Sequence, residues 1–340
     1  MSDAGGQQKL VHAWYSGRRW PLLLLPLSWI FRLLARFRKT VHSSAADALR
    51  LKSKVIVVGN ITVGGTGKTP LLINLVKQFR QQGYKVAVVS RGYGAGSATF
   101  PALVPEDGSA TEYGDEPVLI AAHTGVPVVI DPDRLRALQF VQSEFNPEVV
   151  FSDDGLQHYR MPRHLEIVVV DGSRGFGNGH CLPAGPLREP LARLNEVDFV
   201  IQNGGEELAE LSGYPHFVVE AQPVFLVNLV SGEKRPFSGA PFRMGSRIEA
   251  VCGIGNPDRF FRMVEKLPYP VQRRPYPDHH SYEAVDFSKA ESGVSIVMTE
   301  KDAVKCRDFA RDNMWYLQVE MDIPDEFIAA ISAKCEEIRV

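Results

Sequence analysis

The feature that most constrains the fold is a run of β-branched residues, Lys54 to Val58, that leads straight into Gly59-Asn60-Ile61-Thr62-Val63-Gly64-Gly65-Thr66-Gly67-Lys68-Thr69 and then into a helical pattern from Pro70 to Gln82. Glycines let a backbone curl until its N–H groups converge, and the N-terminus of the following helix adds partial positive charge, so strand, loop and helix together suit phosphate. Pro70 falls early in the helix, where its missing N–H costs nothing. In such a loop Thr62, Gly64, Gly65, Thr66 and Gly67 surround the phosphates, Lys68 reaches the β- and γ-phosphates, and Thr69 helps hold Mg²⁺. The first glycine of GxxxxGK[ST] is replaced by Thr62, with Gly64 and Gly65 supplying flexibility instead. GxGxxG does not occur, which disfavours hydride transfer. ATP and Mg²⁺ are the expected cofactors.

Downstream, short apolar runs alternate with amphipathic segments. Lys85–Ser90, Val126–Ile130, Val149–Ser152, Ile167–Val170 and Phe199–Ile201 read as buried strands; Glu116–His123 and Asp133–Ser143 read as helices. This alternation predicts an α/β fold, a P-loop NTPase-like, doubly wound, mostly parallel sheet with ligands at the strands' carboxyl ends. The strand at 149–152 ends in Asp153-Asp154-Gly155, which brings two acids to the side of the phosphate loop as candidate Mg²⁺ ligands. Adjacent side chains alternate across a strand, so one of the two is expected to meet the metal directly.

Composition narrows the function. A net charge of −2 and the lack of a basic, aromatic-interleaved run after residue 50 argue against nucleic acid as a partner. The four cysteines, Cys181, Cys252, Cys306 and Cys335, have neither zinc-site spacing nor disulfide-scaffold density, which fits a reduced compartment. No obligate protein partner is evident.

Residues 1–50 differ from the rest: eight Lys and Arg stand against Asp3 and Asp47, and Trp14, Trp20 and Trp29 flank an apolar stretch from Pro21 to Phe31. A bilayer needs about 20 apolar residues; this stretch is shorter, and Pro26 is expected to interrupt it. From Leu27 onward Ile30, Phe31, Leu33, Leu34 and Phe37 alternate with Arg32, Arg36 and Arg38 at helical spacing, which predicts a membrane-interface helix. A helix packed on the enzyme body is the competing reading.

After residue 201 the alternation loosens. Phe217–Phe237 reads as two short strands around Gly232, and a smaller α/β unit follows, with strands at Ile248–Cys252 and Val294–Met298 and a helix at Pro257–Lys266. The expected division is a membrane-associating segment (1–50), a nucleotide-binding kinase domain (51–216), a β-linker (217–237) and a C-terminal α/β domain (238–340).

The phosphate loop, Ser90-Arg91-Gly92-Tyr93-Gly94, Gly114-Asp115-Glu116-Pro117, Asp153 to His158, Pro183 to Pro190, Pro277-Asp278-His279 and Thr299-Glu300-Lys301-Asp302 together resemble the tetraacyldisaccharide 4'-kinase family of lipid A biosynthesis. The resemblance implies transfer of the ATP γ-phosphate to the 4'-hydroxyl of an acylated glucosamine disaccharide 1-phosphate by a peripheral or monotopic enzyme at the cytoplasmic face of the bacterial inner membrane. It further implies that Asp115 is the catalytic aspartate and His279 its partner, and it places His158 and Glu189 in family motifs. On the residues alone Asp115 reads equally as a helix N-cap, and His279 and His280 as loop histidines. Arg91 and Arg134 are candidates for phosphate because guanidinium offers a planar fork of donors. A membrane-associated NTPase switch and a soluble small-molecule kinase are the alternatives; the first is weakened by the absence of an Asn-Lys-x-Asp motif.

Overall fold

The computed structural model describes residues 3–46, 52–96, 99–239, 241–288 and 294–338; the expected boundary at 50/51 lies outside them. Helices α1 (Asp3–Tyr15) and α2 (Leu25–Ala46) come first. The first lobe then follows in the order β1 (Lys54–Gly59), α3 (Lys68–Gln81), β2 (Val86–Ser90), β3 (Ala102–Leu103), α4 (Ala110–Tyr113), α5 (Asp115–Thr124), β4 (Val128–Ile130), α6 (Arg134–Phe145), β5 (Val149–Asp153), β6 (Leu165–Asp171) and β7 (Phe199–Asn203). Strands run β7-β6-β1-β5-β2-β4-β3, all parallel except the β4–β3 edge pair. Ile56 and Val58 pack on one face of β1 against Leu72, Leu75 and Phe79 of α3, while Val55 and Val57 pack on the other against Met161 and Leu194. Both faces are covered, so the strands carry unbroken apolar runs.

Two strands flank Gly232 as expected, but the first, β8 (His216–Asn228), is long rather than short. Its first residues pair in parallel with β7 and its later ones antiparallel with the last strand of the second lobe, so one strand belongs to both sheets. β9 (Lys234–Pro236) folds back on it. Beyond lie β10 (Arg247–Cys252), α7 (Pro257–Val264), β11 (Val271–Pro275), β12 (Val294–Thr299), α8 (Glu300–Ala303), β13 (Met314–Asp322) and α9 (Asp325–Glu337). β11 and β13 were not expected: β11 is a polar edge strand carrying Gln272, Arg273 and Arg274. Although α9 lies within 238–340, it packs on the first lobe, with the Phe327 ring 5.5 Å from Phe199 and 5.1 Å from Phe217. That is a correction to a simple C-terminal boundary: Phe327, Ile331 and Cys335 belong to the first lobe's core.

The N-terminal segment also departs from expectation. Pro26 is the second residue of α2, within the turn where no N–H is needed, so it does not interrupt the helix. By length and composition Trp20–Val41 is long and apolar enough to cross a membrane. α2 is nevertheless fastened to the enzyme: the Ser28 hydroxyl donates to Cys181 O at 2.8 Å and accepts from Ala184 N at 3.0 Å, and Lys39 pairs with Glu196. Trp14 is buried and donates to Pro183 O at 3.1 Å, an anchor on the body rather than an interfacial ring. Trp29, Leu33 and Phe37 stay about 70% exposed, at 72%, 70% and 69%. One side of this helix therefore packs on the body, as the competing reading expects, while the other leaves its large apolar side chains exposed.

Candidate active site

β1 and β5 are neighbours with Val58 opposite Asp153, so the phosphate loop and the two aspartates leave the sheet at the same edge. Asn60 Nδ2 donates to Gly64 O at 3.2 Å and draws the loop into its curl. Gly67, at φ +86°, caps α3; a Cβ there would collide with the Asn203 amide, which donates to Thr66 O at 2.9 Å. Only glycine fits that place.

The adjacent aspartates differ in environment. Burial opposes ionisation of Asp154, but Lys68 (Nζ 3.3 Å) and Arg188 (Nη1 3.0 Å) outweigh it and hold the carboxyl well below the ordinary range. Asp153 is pushed the other way, by burial first and then by the charges of Glu116 and Asp154, with Lys68 and Arg134 only partly opposing. Ser90 Oγ donates to Asp153 Oδ2 at 3.1 Å, while Asp153 Oδ1 is buried and has no hydrogen-bond partner. A buried, unpartnered carboxylate oxygen in a negative field fits a hard dication, and the Thr69 side chain borders the same cavity. Of the two expected acidic ligands, Asp153 is the one with an uncommitted oxygen.

Asp115 opens α5 after Gly114, whose φ of +89° and 2.8 Å clearance between a notional Cβ and Tyr93 O require glycine. It is the first helical residue rather than the N-cap, and Oδ1 accepts from Glu116 N at 2.8 Å. Oδ2 faces the second lobe: His279 Nδ1 lies at 3.2 Å, Lys305 Nζ at 3.2 Å and Lys301 Nζ at 3.9 Å. Asp115 is only 5% exposed. Burial favours the neutral acid, but the His279 hydrogen bond and the two ammoniums prevail and hold the carboxyl well below its usual range. An anion so stabilised is a poor base. It is suited to holding His279, whose Nδ1 then carries the proton while Nε2 is left to accept one.

His279 adopts φ +58°, a left-handed conformation uncommon for histidine, and its N–H donates to Gly253 O at 3.1 Å. His280 turns away, stacked on Tyr276 with centroids 4.5 Å apart and 3.3 Å from Asp286 Oδ2.

These groups meet in a cavity of about 860 Å³ between the lobes, bordered by Gly64 to Thr69, Asp153, Asp154, Arg91, Arg134, His158 and His279. Asp115 lies behind His279. Thr62 and Glu189 do not border it: Thr62 is bridged to Leu187, and Glu189 is buried, accepting from Tyr159 Oη at 2.5 Å and Gln157 Nε2 at 2.7 Å. Buried Arg134 donates to Asp153 O at 2.7 Å; desolvation lowers its pKa to about 10, so it stays a cation. Burial, followed by the charges of Arg134, Arg91 and Arg38, lowers His158 to about 4, so it is neutral at pH 7. Arg38 of α2 joins Arg91, Arg134 and His158 around an adjoining hollow of about 370 Å³.

The sequence reading assigned no role to Glu116, Lys301, Lys305 or Arg188, and placed Arg38 only on the basic side of the N-terminal helix. Glu116, Lys301 and Arg188 stand inside quoted motifs, a signal that was present; Lys305 carries none.

A family model described as tetraacyldisaccharide-1-P 4'-kinase matches residues 20–336. The tetraacyldisaccharide 4'-kinase of Pseudomonas aeruginosa strain LESB58 is 45% identical over 332 residues, covering 97% of this chain and 98% of that protein. That of Ectopseudomonas mendocina strain ymp is 48% identical over 313 residues, covering 92% of each. Among solved structures, LpxK from Aquifex aeolicus in complex with ATP is similar, with a TM-score of 0.73, 28% identity, and coverage of 92% of this chain and 99% of that one.

Proposed function

Because the chain belongs to the tetraacyldisaccharide-1-P 4'-kinase family, we propose that its cavity transfers the γ-phosphate of ATP to the 4'-hydroxyl of a tetraacyldisaccharide 1-phosphate in lipid A biosynthesis. The observation that carries this reading is the junction of two half-sites in one cavity, a phosphate loop from the first lobe and the His279–Asp115 pair bridging to the second. Membership favours neither a nucleotide switch nor a kinase of soluble small molecules.

In this mechanism the loop N–H groups, Lys68 and the α3 N-terminus bind the triphosphate. Asp153 and Thr69 would hold Mg²⁺, which when bound neutralises charge on the β- and γ-phosphates. His279 Nε2 accepts the proton of the acceptor hydroxyl while the 4'-oxygen bonds to the γ-phosphorus and the bond to the bridging oxygen of ADP breaks. Asp115 keeps the imidazole in the required tautomer and steadies the imidazolium. Lys301 Nζ, 3.4 Å from His279 Nε2, lies beside the entering oxygen. Arg91, Arg134 and Arg38 supply positive charge for the phosphorylated acceptor, next to the helix that meets its acyl chains. We place the enzyme at the cytoplasmic face, with lobes 51–216 and 238–340, the latter without α9, joined by the β-linker 217–237 and closing on the substrates.

Mass and linkage analysis of the product tests the reading: the second phosphate is expected at the 4' position. A product phosphorylated at another hydroxyl would contradict it.

A further inference from the structure

We propose that Arg259, the third residue of α7, is a catalytic arginine that the second lobe delivers to the triphosphate of ATP. The inference rests on the kinase reading above and adds a residue to it. Arg259 borders the main cavity together with Gly67, Lys68 and Thr69, although it lies in the other lobe. Its Nη2 stands 2.7 Å from where a Gly67 Cβ would be, directly over the phosphate loop.

The guanidinium is poorly compensated there. Nη1 is buried without a hydrogen-bond partner. Its carboxylate contact is with Asp171, 3.9 Å away, too far for a hydrogen bond. Asp171 is already committed: Oδ2 accepts from Asn256 Nδ2 at 2.6 Å, and Oδ1 accepts from Ser173 Oγ at 2.6 Å and Ser173 N at 3.0 Å. Burial, with Arg174 and Arg262 nearby and Asp171 only partly opposing, lowers its proton affinity. A desolvated cation with donors to spare beside a phosphate loop is matched by an oxyanion, because guanidinium pairs with phosphate through paired N–H donors.

The start of α7 is seated for this task. Arg174 Nη1 donates to Gly255 O at 2.6 Å, and a Cβ on Gly255 would run into the Gly65 backbone nitrogen. Gly255 and the phosphate loop therefore pack backbone to backbone, and Arg259 follows one helical turn later. His279 belongs to the same lobe, so one closure sets both the arginine on the donor and the histidine beside the acceptor.

The test uses the full chain with MgATP and acylated disaccharide 1-phosphate in mixed micelles, comparing Arg259→Ala, Arg259→Lys and Asp171→Asn. Loss of one such donor costs on the order of 10²- to 10³-fold in kcat, and an arginine on a transferring phosphoryl group can be worth more. We expect that loss in Arg259→Ala, with KM for the lipid within about threefold, an unchanged melting temperature, partial rescue by guanidinium ion below denaturing concentration, and incomplete recovery in Arg259→Lys. A kcat for Arg259→Ala within about threefold of the parent would overturn the proposal. So would a loss that guanidinium does not rescue and that Asp171→Asn reproduces in full, since Arg259 would then only tie the lobes together. If the parent enzyme itself leaves the lipid unphosphorylated, the kinase reading fails instead, so the two failures are distinguishable.

Discussion

His279 holds a left-handed backbone conformation, a cost of about 1 kcal/mol or more for a residue other than glycine, which persists only where its surroundings enforce it. The enforcing contacts are Gly253 O on its N–H and Asp115 on its ring. Asp115→Asn and His279→Ala are each expected to lower kcat by about 10²- to 10⁴-fold, while His280→Ala, bound to Asp286 and Tyr276, stays near the parent value; steady-state kinetics of purified variants checks this. His158 predicts a pH effect. Its folded pKa is depressed from 6.5 to about 4, so below pH 6.5 the unfolded chain takes up a proton that the folded chain refuses, and stability falls as pH drops toward about 4. His158→Gln should flatten that part of a melting-temperature profile, whereas an unchanged slope would refute the assignment. At this scale the sequence was legible where neighbours along the chain do the work, as in Gly67-Lys68-Thr69. It was silent on Lys305, whose partner Asp115 lies in the other lobe, and it did not reveal that Glu189 is held by Tyr159 and Gln157.

Among the elements, α2 carries the sharpest prediction. Leu27, Ile30, Leu34, Phe37 and Val41 recur at helical spacing on its exposed side, with Leu33 beside them, while Ser28 and Phe31 meet the body. Each large apolar side chain gains roughly 2 kcal/mol on leaving water. Leu33→Glu with Phe37→Glu is therefore expected to weaken binding to anionic vesicles by at least about a hundredfold, with melting temperature unchanged because both side chains are exposed. Equal sedimentation with vesicles would contradict the interfacial role. The helical period and the arginines were legible in the sequence. The continuity of the helix through Pro26 was not, because proline is harmless or disruptive according to its position in the turn, and the helix start was not visible. For the same reason β11 went unseen: an edge strand exposes polar residues and shows no buried run.

At the scale of the molecule, β8 is a single strand shared by two sheets, and α9 returns to the first lobe's core. The parallel alternation of the first lobe could be read from its β-branched runs, since both faces are buried. The return of α9 could not, because a short amphipathic helix does not name the surface that receives it. The arrangement forms one cavity bordered by the loop after β1, by the end of β5 and by His279, which in the proposed reading are its donor and acceptor sides. The most direct test follows labelled γ-phosphate from ATP into the acylated disaccharide 1-phosphate while ATP consumption is measured in the same reaction, for the parent chain, Lys68→Ala and His279→Ala. Label in the lipid matching ATP consumed, abolished by Lys68→Ala and reduced at least about a hundredfold by His279→Ala, is the predicted result. ATP consumed without labelled lipid, or transfer undiminished by His279→Ala, would contradict it.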